Sequence, residues 1–352
     1  MSLISIFLAI LLLGILITVH EFGHFMAARL TGIEVMEFAI GFGPRLLGWT
    51  GKKSGTKFSL RAIPLGGFCA FYGEDDAEGK TTDDPRAYNN QSVWKRMFTV
   101  LMGPAMNFVL AFVVATCYYF FTGVAQVEPY LVEIEPSGPA YDAGLEAGDV
   151  ISHVDGEEIL SGGIDALLAA IDGDQPLALT VLRGEETVET VCTPVWDEAA
   201  GKYRIGVTIG NRYTGEVLPM PFGQAVREGW NICVYASTVI IDSLIAMVTR
   251  GEGIDQTAGP VGVITIVSEQ VQTYGFDAFV NYLVLISVNL GVMNLLPIPG
   301  LDGSRFLFMA VEAIRRKPVP RDKEAMIHLG GMLFLFAVMI FFTFRDVLRL
   351  FQ

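Results

Sequence analysis

Long apolar runs alternate with polar segments along this chain, and their length predicts the first elements. A helix needs about 20 apolar residues to cross the roughly 30 Å hydrocarbon layer of a membrane. Four runs approach that length: 3–19, 97–121, 279–296 and 330–344. The pattern therefore predicts a polytopic α-helical membrane protein with about four transmembrane helices.

Two apolar runs need a closer reading. Run 3–19 has no Lys or Arg before it and no small-residue cleavage site after it, so we expect it to be retained rather than removed as a signal peptide. Run 230–248 is interrupted by Asn231, Asp242 and Ser243. For this run we favour an amphipathic helix lying in the membrane interface over a further span.

Basic residues in the connecting segments predict the orientation. Segment 32–96 contains nine Lys and Arg residues, and the short segment 315–323 contains five. Both are expected in the cytoplasm, because basic loops stay on that side. The long segment 122–276 has six basic residues and is otherwise acidic. We therefore place it, with both chain ends, outside the cytoplasm.

Composition excludes several classes of protein. Of 352 residues, 52% are hydrophobic and 18% are charged, which disfavours both a wholly soluble protein and a disordered one. The net charge of -14 disfavours nucleic acid as a partner. Four cysteines lack the spacing of a metal site or a disulfide framework.

A small β-rich domain is predicted within the outer segment, at residues 130–211. Short β-forming runs alternate there with turn clusters such as Pro136-Ser137-Gly138-Pro139 and Asp155-Gly156. The sequence from Pro139 to Gly156 resembles a PDZ domain of the bacterial protease type, a domain that binds an extended peptide as an added strand. A β-rich spacer that binds nothing is the alternative.

The motif His20-Glu21-Phe22-Gly23-His24 carries the candidate chemistry. On a helix, H-E-x-x-H places two imidazoles one turn apart on one face, which suits zinc. With four histidines in the chain, chance would produce this pattern about 0.003 times. The motif continues the first apolar helix, and His20 lies roughly 26 Å along it from Leu3. We expect the motif inside the hydrocarbon layer near its cytoplasmic edge, rather than in water beyond the helix end.

A catalytic zinc site normally has three protein ligands, so a third is required. Run 279–296 descends about 27 Å before Pro297 and Pro299 break it, which brings Asp302 to the depth of His24. Asp302 is therefore the candidate third ligand, although it could instead cap the helix that restarts at Gly303. We expect His153 and His328 to be structural or surface residues.

Taken together, these motifs resemble those of the bacterial site-2 proteases of the RseP type, which are intramembrane zinc metalloproteases. The resemblance rests on H-E-F-G-H in the first span, a PDZ-like domain between the second and third spans, and N-x-x-P-x-P-x-L-D-G at 294–303. Further matching stretches are 41–43, 63–68, 103–108 and 259–262, so it covers nearly the whole chain. The chain has one PDZ-like domain where the RseP archetype has two, and substrate selection by that domain is not carried over.

The resemblance implies peptide-bond hydrolysis within the membrane. His20, His24 and Asp302 would hold Zn²⁺, and Glu21 would be the general base. A transmembrane helix must be unwound before it is cut, and residues 58–71 could form a membrane-associated β-hairpin whose edge pairs with the unwound substrate. In the family, such an element and the residue matching Asn294 bind substrate, which makes Gly66, Gly67 and Asn294 candidates. Residues 51–71 could equally be an ordinary cytoplasmic hairpin, and Asn294 could simply bond a neighbouring helix.

These predictions divide the chain into four parts. We expect an N-terminal membrane core (1–126), a PDZ-like domain (127–212), a linker with an interfacial helix (213–276) and a C-terminal membrane core with the third ligand (277–352).

The expected location is the bacterial inner membrane, with membrane lipid around the spans and transmembrane proteins or peptides as substrates. Trimmed anti-sigma factors and remnant signal peptides are the examples that the family suggests. Three alternatives are a metal transporter, a catalytically silent adaptor that presents the PDZ-like domain, and a metalloprotease for soluble substrates.

Overall fold

Two compact units divide the chain in the computed structural model. Unit 1 consists of residues 1–119 and 222–352, and unit 2 consists of residues 120–221. The structure describes residues 2–74, 83–159, 163–171, 173–184, 186–198, 201–253 and 257–350.

Among the described residues, five helices are long and apolar enough to cross a membrane. They are α1 (Leu3–Thr31), α2 (Val93–Thr122), α5 (Phe222–Arg250), α6 (Pro260–Leu295) and α8 (Arg321–Leu350). Helix α5 contains the run predicted to lie in the interface, and in the structure it is one uninterrupted helix of 29 residues. The chain is therefore a membrane protein with five candidate spanning helices, one more than the predicted four.

Helix α1 is the central helix of unit 1. Ser2 caps its first turn by accepting a hydrogen bond from the backbone N–H of Ser5, and Gly32 ends it in a left-handed conformation. Its buried residues Leu12 and Leu16 pack in one apolar cluster with Val267 of α6. These contacts fix α1 and α6 side by side.

Helix α6 is broken at one residue. Gly275 has a φ of 67°, which is not helical, so the element is two helices joined at that glycine. The second helix begins close to the start predicted for the third span. It ends at Leu295, where Pro297 and Pro299 follow, and the short helix α7 (Asp302–Arg315) begins after them.

A curled β-sheet follows α1. It consists of β1 (Val35–Thr50) and β2 (Lys57–Phe71), which are antiparallel. Both strands bend, so β1 residues 37–40 pair with residues 57–60 on one side and with residues 67–70 on the other, and Val35 pairs with Phe71. The predicted hairpin exists, but its turn lies at 51–56. Within β2, Gly67 is the first residue of the edge segment 67–71 and Gly66 directly precedes it, and this corrects the prediction of a hairpin confined to 58–71.

Unit 2 is a small β-rich domain. Its strands are β3 (Val124–Ile134), β4 (Val150–Val154), β5 (Glu157–Glu158), β6 (Leu177–Arg183), β7 (Glu186–Cys192), β8 (Val195–Asp197), β9 (Lys202–Arg204) and β10 (Val207–Leu218), with helices α3 (Pro139–Asp142) and α4 (Gly163–Ala170). The main sheet has the order β10-β3-β4-β6-β7, with β5 beside β4. Leu131, Ile151, Leu179 and Val181 form its core.

Candidate metal centre and active site

Three side chains from two helices converge in the interior of unit 1. Asp302 Oδ2 lies 3.1 Å from His20 Nε2 and 3.2 Å from His24 Nε2. The two Nε2 atoms are 3.3 Å apart. Within the described part of the chain, this is the one group of three His, Cys, Asp or Glu residues whose atoms could hold a metal ion. The predicted ligand set is therefore brought together.

The donor set fits zinc. Tetrahedral zinc has ligand bonds of about 2.0–2.2 Å, which place neighbouring ligand atoms roughly 3.3–3.5 Å apart. The three distances here are within a few tenths of an ångström of that value. His24 Nδ1 lies 3.0 Å from the carbonyl oxygen of Thr99, which can only accept, so Nδ1 carries a proton and Nε2 of the neutral ring offers a lone pair. Asp302 Oδ2 is buried and has no other partner among the described residues. A cation among these acceptor atoms would remove their mutual repulsion.

Helix α2 holds the two histidines from one side. A methyl group at Gly103 would overlap the His24 ring, and one at Gly23 would overlap the backbone of Met102. Only glycine at both positions lets α1 and α2 approach this closely. Asn107, fully buried one turn beyond Gly103, has its amide nitrogen 3.1 Å from His20 Nδ1.

Asp302 is held by contacts on both sides of it. It is the first residue of α7, and its carboxylate faces the imidazoles while Leu301 occupies the cap position. The alternative that Asp302 only caps the helix is therefore disfavoured. The preceding loop is anchored by His328, whose Nδ1 accepts a hydrogen bond of 3.2 Å from the backbone N–H of Gly300.

Two ion pairs fix α7, the helix that begins at Asp302. Arg305 Nη1 lies 2.5 Å from Glu74 Oε1. Arg96 Nη2 lies 2.5 Å from Glu312 Oε1, and both side chains are largely buried. The second pair joins α7 to the first turn of α2, so the helix that orients the histidines also anchors the helix that carries Asp302.

Glu21 lies between the two histidines in sequence and next to the β-sheet in space. A methyl group built on Gly67 would lie 3.2 Å from Glu21 Cγ and 2.9 Å from the carbonyl oxygen of Ala39. Gly66, the next residue towards the N-terminus, has a φ of 145° and lies against the ring of Phe42. The structure thus places the Gly66-Gly67 pair beside the candidate general base.

Asn294 lies in the last turn of α6. It is partly buried, and its amide nitrogen donates a hydrogen bond of 3.0 Å to the carbonyl of Leu290 in the same helix. Among the described residues, no hydrogen bond joins Asn294 to His20, His24 or Asp302. Its assignment to substrate binding remains a prediction.

The residues that support the histidines, Gly103 and Asn107, could not be assigned this role from the sequence. In the sequence, both belong to the stretch 103–108 that resembles the site-2 protease family. The available signal was an amide within an apolar run, since such groups are costly in a membrane and usually have a partner.

Five apolar helices and a buried H-E-x-x-H motif completed by an aspartate define a membrane-embedded metalloenzyme. The sequence profile of Peptidase family M50 matches residues 8–338, and the chain belongs to this family. It is an intramembrane zinc metalloprotease, as the site-2 protease resemblance predicted.

Relatives extend over almost the whole chain. A protein of Clostridium acetobutylicum, provisionally named a zinc metalloprotease, is 33% identical over 99% of this chain and 98% of its own length. The regulator of sigma-W protease RasP of Bacillus subtilis is 30% identical over 97% of this chain and 98% of its own length. Among solved structures, the PDZ domain of an SdrC-like protein from Listeria monocytogenes matches 24% of this chain and 88% of its own length, with 21% identity and a TM-score of 0.21.

Proposed function

We propose that His20, His24 and Asp302 are the zinc ligands of this protease and that Glu21 is its general base. The observation that carries the proposal is the convergence of three ligand atoms, from α1 and from the start of α7, at 3.1–3.3 Å from one another. Both histidines are more than nine-tenths buried. Such a site needs a cation to compensate for the burial of the carboxylate.

The chemistry divides between the metal and the chain. When bound, zinc supplies Lewis acidity that acidifies a coordinated water and polarises the scissile carbonyl. Glu21 accepts the proton of the attacking water and then delivers it to the leaving amine. His20, His24 and Asp302 keep their positions throughout, and no covalent bond forms between substrate and protein.

The substrate is proposed to be a membrane-spanning segment that reaches Glu21 along α1. An apolar groove of about 510 Å³ runs along one face of α1, from Phe7 past Gly14 to Val19, and Ile40 of β1 also lines it. The groove ends one residue before His20. Ile40 pairs with Gly67, so the sheet edge at 67–71 lies where the groove reaches the site. Backbone hydrogen bonds to that edge would hold the substrate extended for cleavage.

The remaining predictions concern substrates and topology. We propose single-span membrane proteins as substrates, such as trimmed anti-sigma factors or remnant signal peptides, and the name of the sigma-W protease relative supports the former. Residues 32–96 and 315–323 would face the cytoplasm of a bacterial inner membrane. Unit 2 would be an extracytoplasmic PDZ-like domain with an unidentified ligand, and α5 would lie in the interface. The four-part division at 126, 212 and 276 belongs to the same proposal.

The transporter and adaptor alternatives are less well supported. A transport path would need polar groups continuing across the bilayer from the metal site, whereas Asn107 beside His20 is itself packed in the interior. An adaptor would have no need of a complete ligand set.

Cleavage of a single-span reporter in membranes, measured together with zinc content, tests the proposal. Glu21→Gln is expected to abolish cleavage and keep about one zinc per chain, because it removes the base and no ligand. Asp302→Ala is expected to lose both. Asp277→Asn, which changes an exposed carboxylate on α6, serves as the control and should keep both. Cleavage by Glu21→Gln, or full zinc in Asp302→Ala, would refute the assigned roles.

A further inference from the structure

The amide of Asn107 faces the ring nitrogen of His20 that points away from the converging ligand atoms. The Asn107 amide nitrogen lies 3.1 Å from His20 Nδ1. The other amide atom, Oδ1, is buried and has no hydrogen-bond partner in the described part of the chain. Asn107 is completely buried, and among the described residues the one hydrogen-bond contact of its amide is with His20 Nδ1.

The orientation of that amide decides whether His20 can bind a metal. A neutral imidazole carries one proton, and the nitrogen that binds a metal must be the other one. If the amide nitrogen donated to Nδ1, the proton of His20 would be on Nε2, which faces His24 and Asp302. His20 could then bind no metal. The shape of an amide does not distinguish its oxygen from its nitrogen, and rotation by 180° exchanges them without moving any other atom.

We propose that Asn107 is the positioning residue of His20: its Oδ1 accepts the Nδ1–H proton of the imidazole and thereby keeps the Nε2 lone pair directed at the metal. This inference rests on the proposed zinc site. Asn107 is not one of the three residues whose ligand atoms converge. It acts through His20, by selecting the tautomer and fixing the plane of the ring.

The same helix performs this task for both histidines, by different means. For His24 the acceptor is the backbone carbonyl of Thr99, at 3.0 Å. Asn107 lies eight residues further along α2, about two turns, and supplies the equivalent acceptor from its side chain.

Asn107 is itself tied to α6. Its backbone carbonyl accepts a hydrogen bond of 2.7 Å from the hydroxyl of Ser287. That contact holds α2 against α6, independently of what the amide does.

The test measures zinc affinity of the purified full-length protein in detergent, by competition with a chromophoric zinc chelator. Asn107→Leu keeps the approximate volume and removes the acceptor, and it is expected to weaken zinc binding about 10–100-fold, the usual cost of losing such a partner. Asn107→Asp restores an acceptor at the same position. It is expected to bind zinc at least about tenfold more tightly than Asn107→Leu does. A residue that only fills space would not show this rescue.

Thr116→Val is the matched control, since it removes another buried polar group of α2 that contacts neither histidine. Thermal unfolding of each variant in the presence of excess chelator shows whether it folds. Zinc affinity of Asn107→Leu equal to wild type, or an equal loss in the Leu and Asp variants, would overturn the proposal. Failure of the wild-type protein to bind zinc, or unchanged binding in a His20→Ala variant, would instead overturn the proposed ligand set.

Discussion

Gly103 of α2 lies directly against the imidazole of His24, so closely that a single methyl group at position 103 would overlap the ring. The contact explains how α2 can lie against the face of α1 that carries the two histidines. The absence of a side chain at 103 brings the Thr99 carbonyl within 3.0 Å of His24 Nδ1, and this fixes the tautomer that can bind metal. Glycine at this position is therefore part of the ligand geometry.

Gly103→Ala is expected to displace His24 and to lower zinc affinity by about 10–100-fold, with a corresponding loss of cleavage. Chelator competition and reporter cleavage measure the two effects. Gly330→Ala is the control, because it adds the same methyl group to a helical glycine of α8 with open space around it. A Gly103→Ala protein with wild-type zinc affinity would show that the α1–α2 contact does not determine the position of His24.

The ion pair between Arg96 and Glu312 should contribute measurably to stability. Their side chains are 13% and 19% exposed, so each charge depends on the other. Glu312→Gln is expected to lower the free energy of unfolding by about 1.5–3 kcal/mol, the range for hydrogen bonds to charged groups. Thermal unfolding in detergent measures it, and zinc affinity should fall as α7 loosens.

The comparison for that pair is Arg250 with Glu252, whose side chains are 60% and 62% exposed. Glu252→Gln should change stability by less than about 1 kcal/mol, because water screens an exposed pair. Equal effects of the two substitutions would contradict the proposed anchoring of α7.

Much of the candidate site could be predicted from the sequence because helical geometry is regular. The H-E-x-x-H spacing places His20 and His24 on one face. Counting residues down the third span gave the depth of Asp302. Both arguments need only the rise per residue of a helix and the helix-breaking effect of Pro297 and Pro299.

The sheet was harder to predict, because pairing depends on residues distant in sequence. The sequence predicts a β-hairpin at 58–71 but not the strand that pairs with it. The partner is β1, and residues 37–40 pair with two segments of β2 at once, which no local pattern reveals. In the same way, the contact of Asn107 with His20 spans 87 residues. The polar interruptions of α5 predict an interfacial helix but not its packing partners, and the burial of Gly229, Cys233 and Ala236 against other helices likewise joins residues distant in sequence.

In unit 2, a buried carboxylate should make stability depend on pH. Asp149 is 1% exposed, and both of its oxygens accept hydrogen bonds of 2.8 Å from Arg183. Burial alone would raise the pKa of Asp149, but the bonds from Arg183 and from the backbone N–H of Glu146 outweigh it and hold the pKa below its usual range. The pair therefore stabilises the folded state above the unfolded pKa of about 3.9, and this contribution is lost as the pH falls through the folded pKa.

Arg183→Leu leaves the Asp149 carboxylate buried without its partner and is expected to destabilise unit 2 at neutral pH, seen as a lower temperature of thermal unfolding. The penalty should shrink towards about pH 4, where protonation removes the buried charge. Limited proteolysis and thermal unfolding of the full chain at both pH values measure it. Arg204→Leu, which breaks a more exposed pair with Asp197, is the control and should cost less than about 1 kcal/mol. A penalty for Arg183→Leu that grows with acidity would contradict this account.

A larger side chain at Gly67 should separate the base from the metal ligands. A Cβ at this position would contact Glu21 Cγ at 3.2 Å and Ile17 Cγ2 at 3.4 Å, whereas none of its three nearest atoms belongs to a metal-ligand candidate. Gly67→Val is therefore expected to lower cleavage at least about tenfold by displacing Glu21, since small misplacements of a catalytic group are costly. Zinc affinity is expected to stay within about twofold.

Leu60→Val, a change at a partly exposed position of the same strand, controls for loosening of the sheet and should retain activity. For Gly103→Ala the opposite result is expected, because zinc affinity itself falls. Measured side by side, the two variants therefore distinguish the face of α1 that binds metal from the face that carries the base. Loss of zinc in Gly67→Val would show that the two faces are not independent.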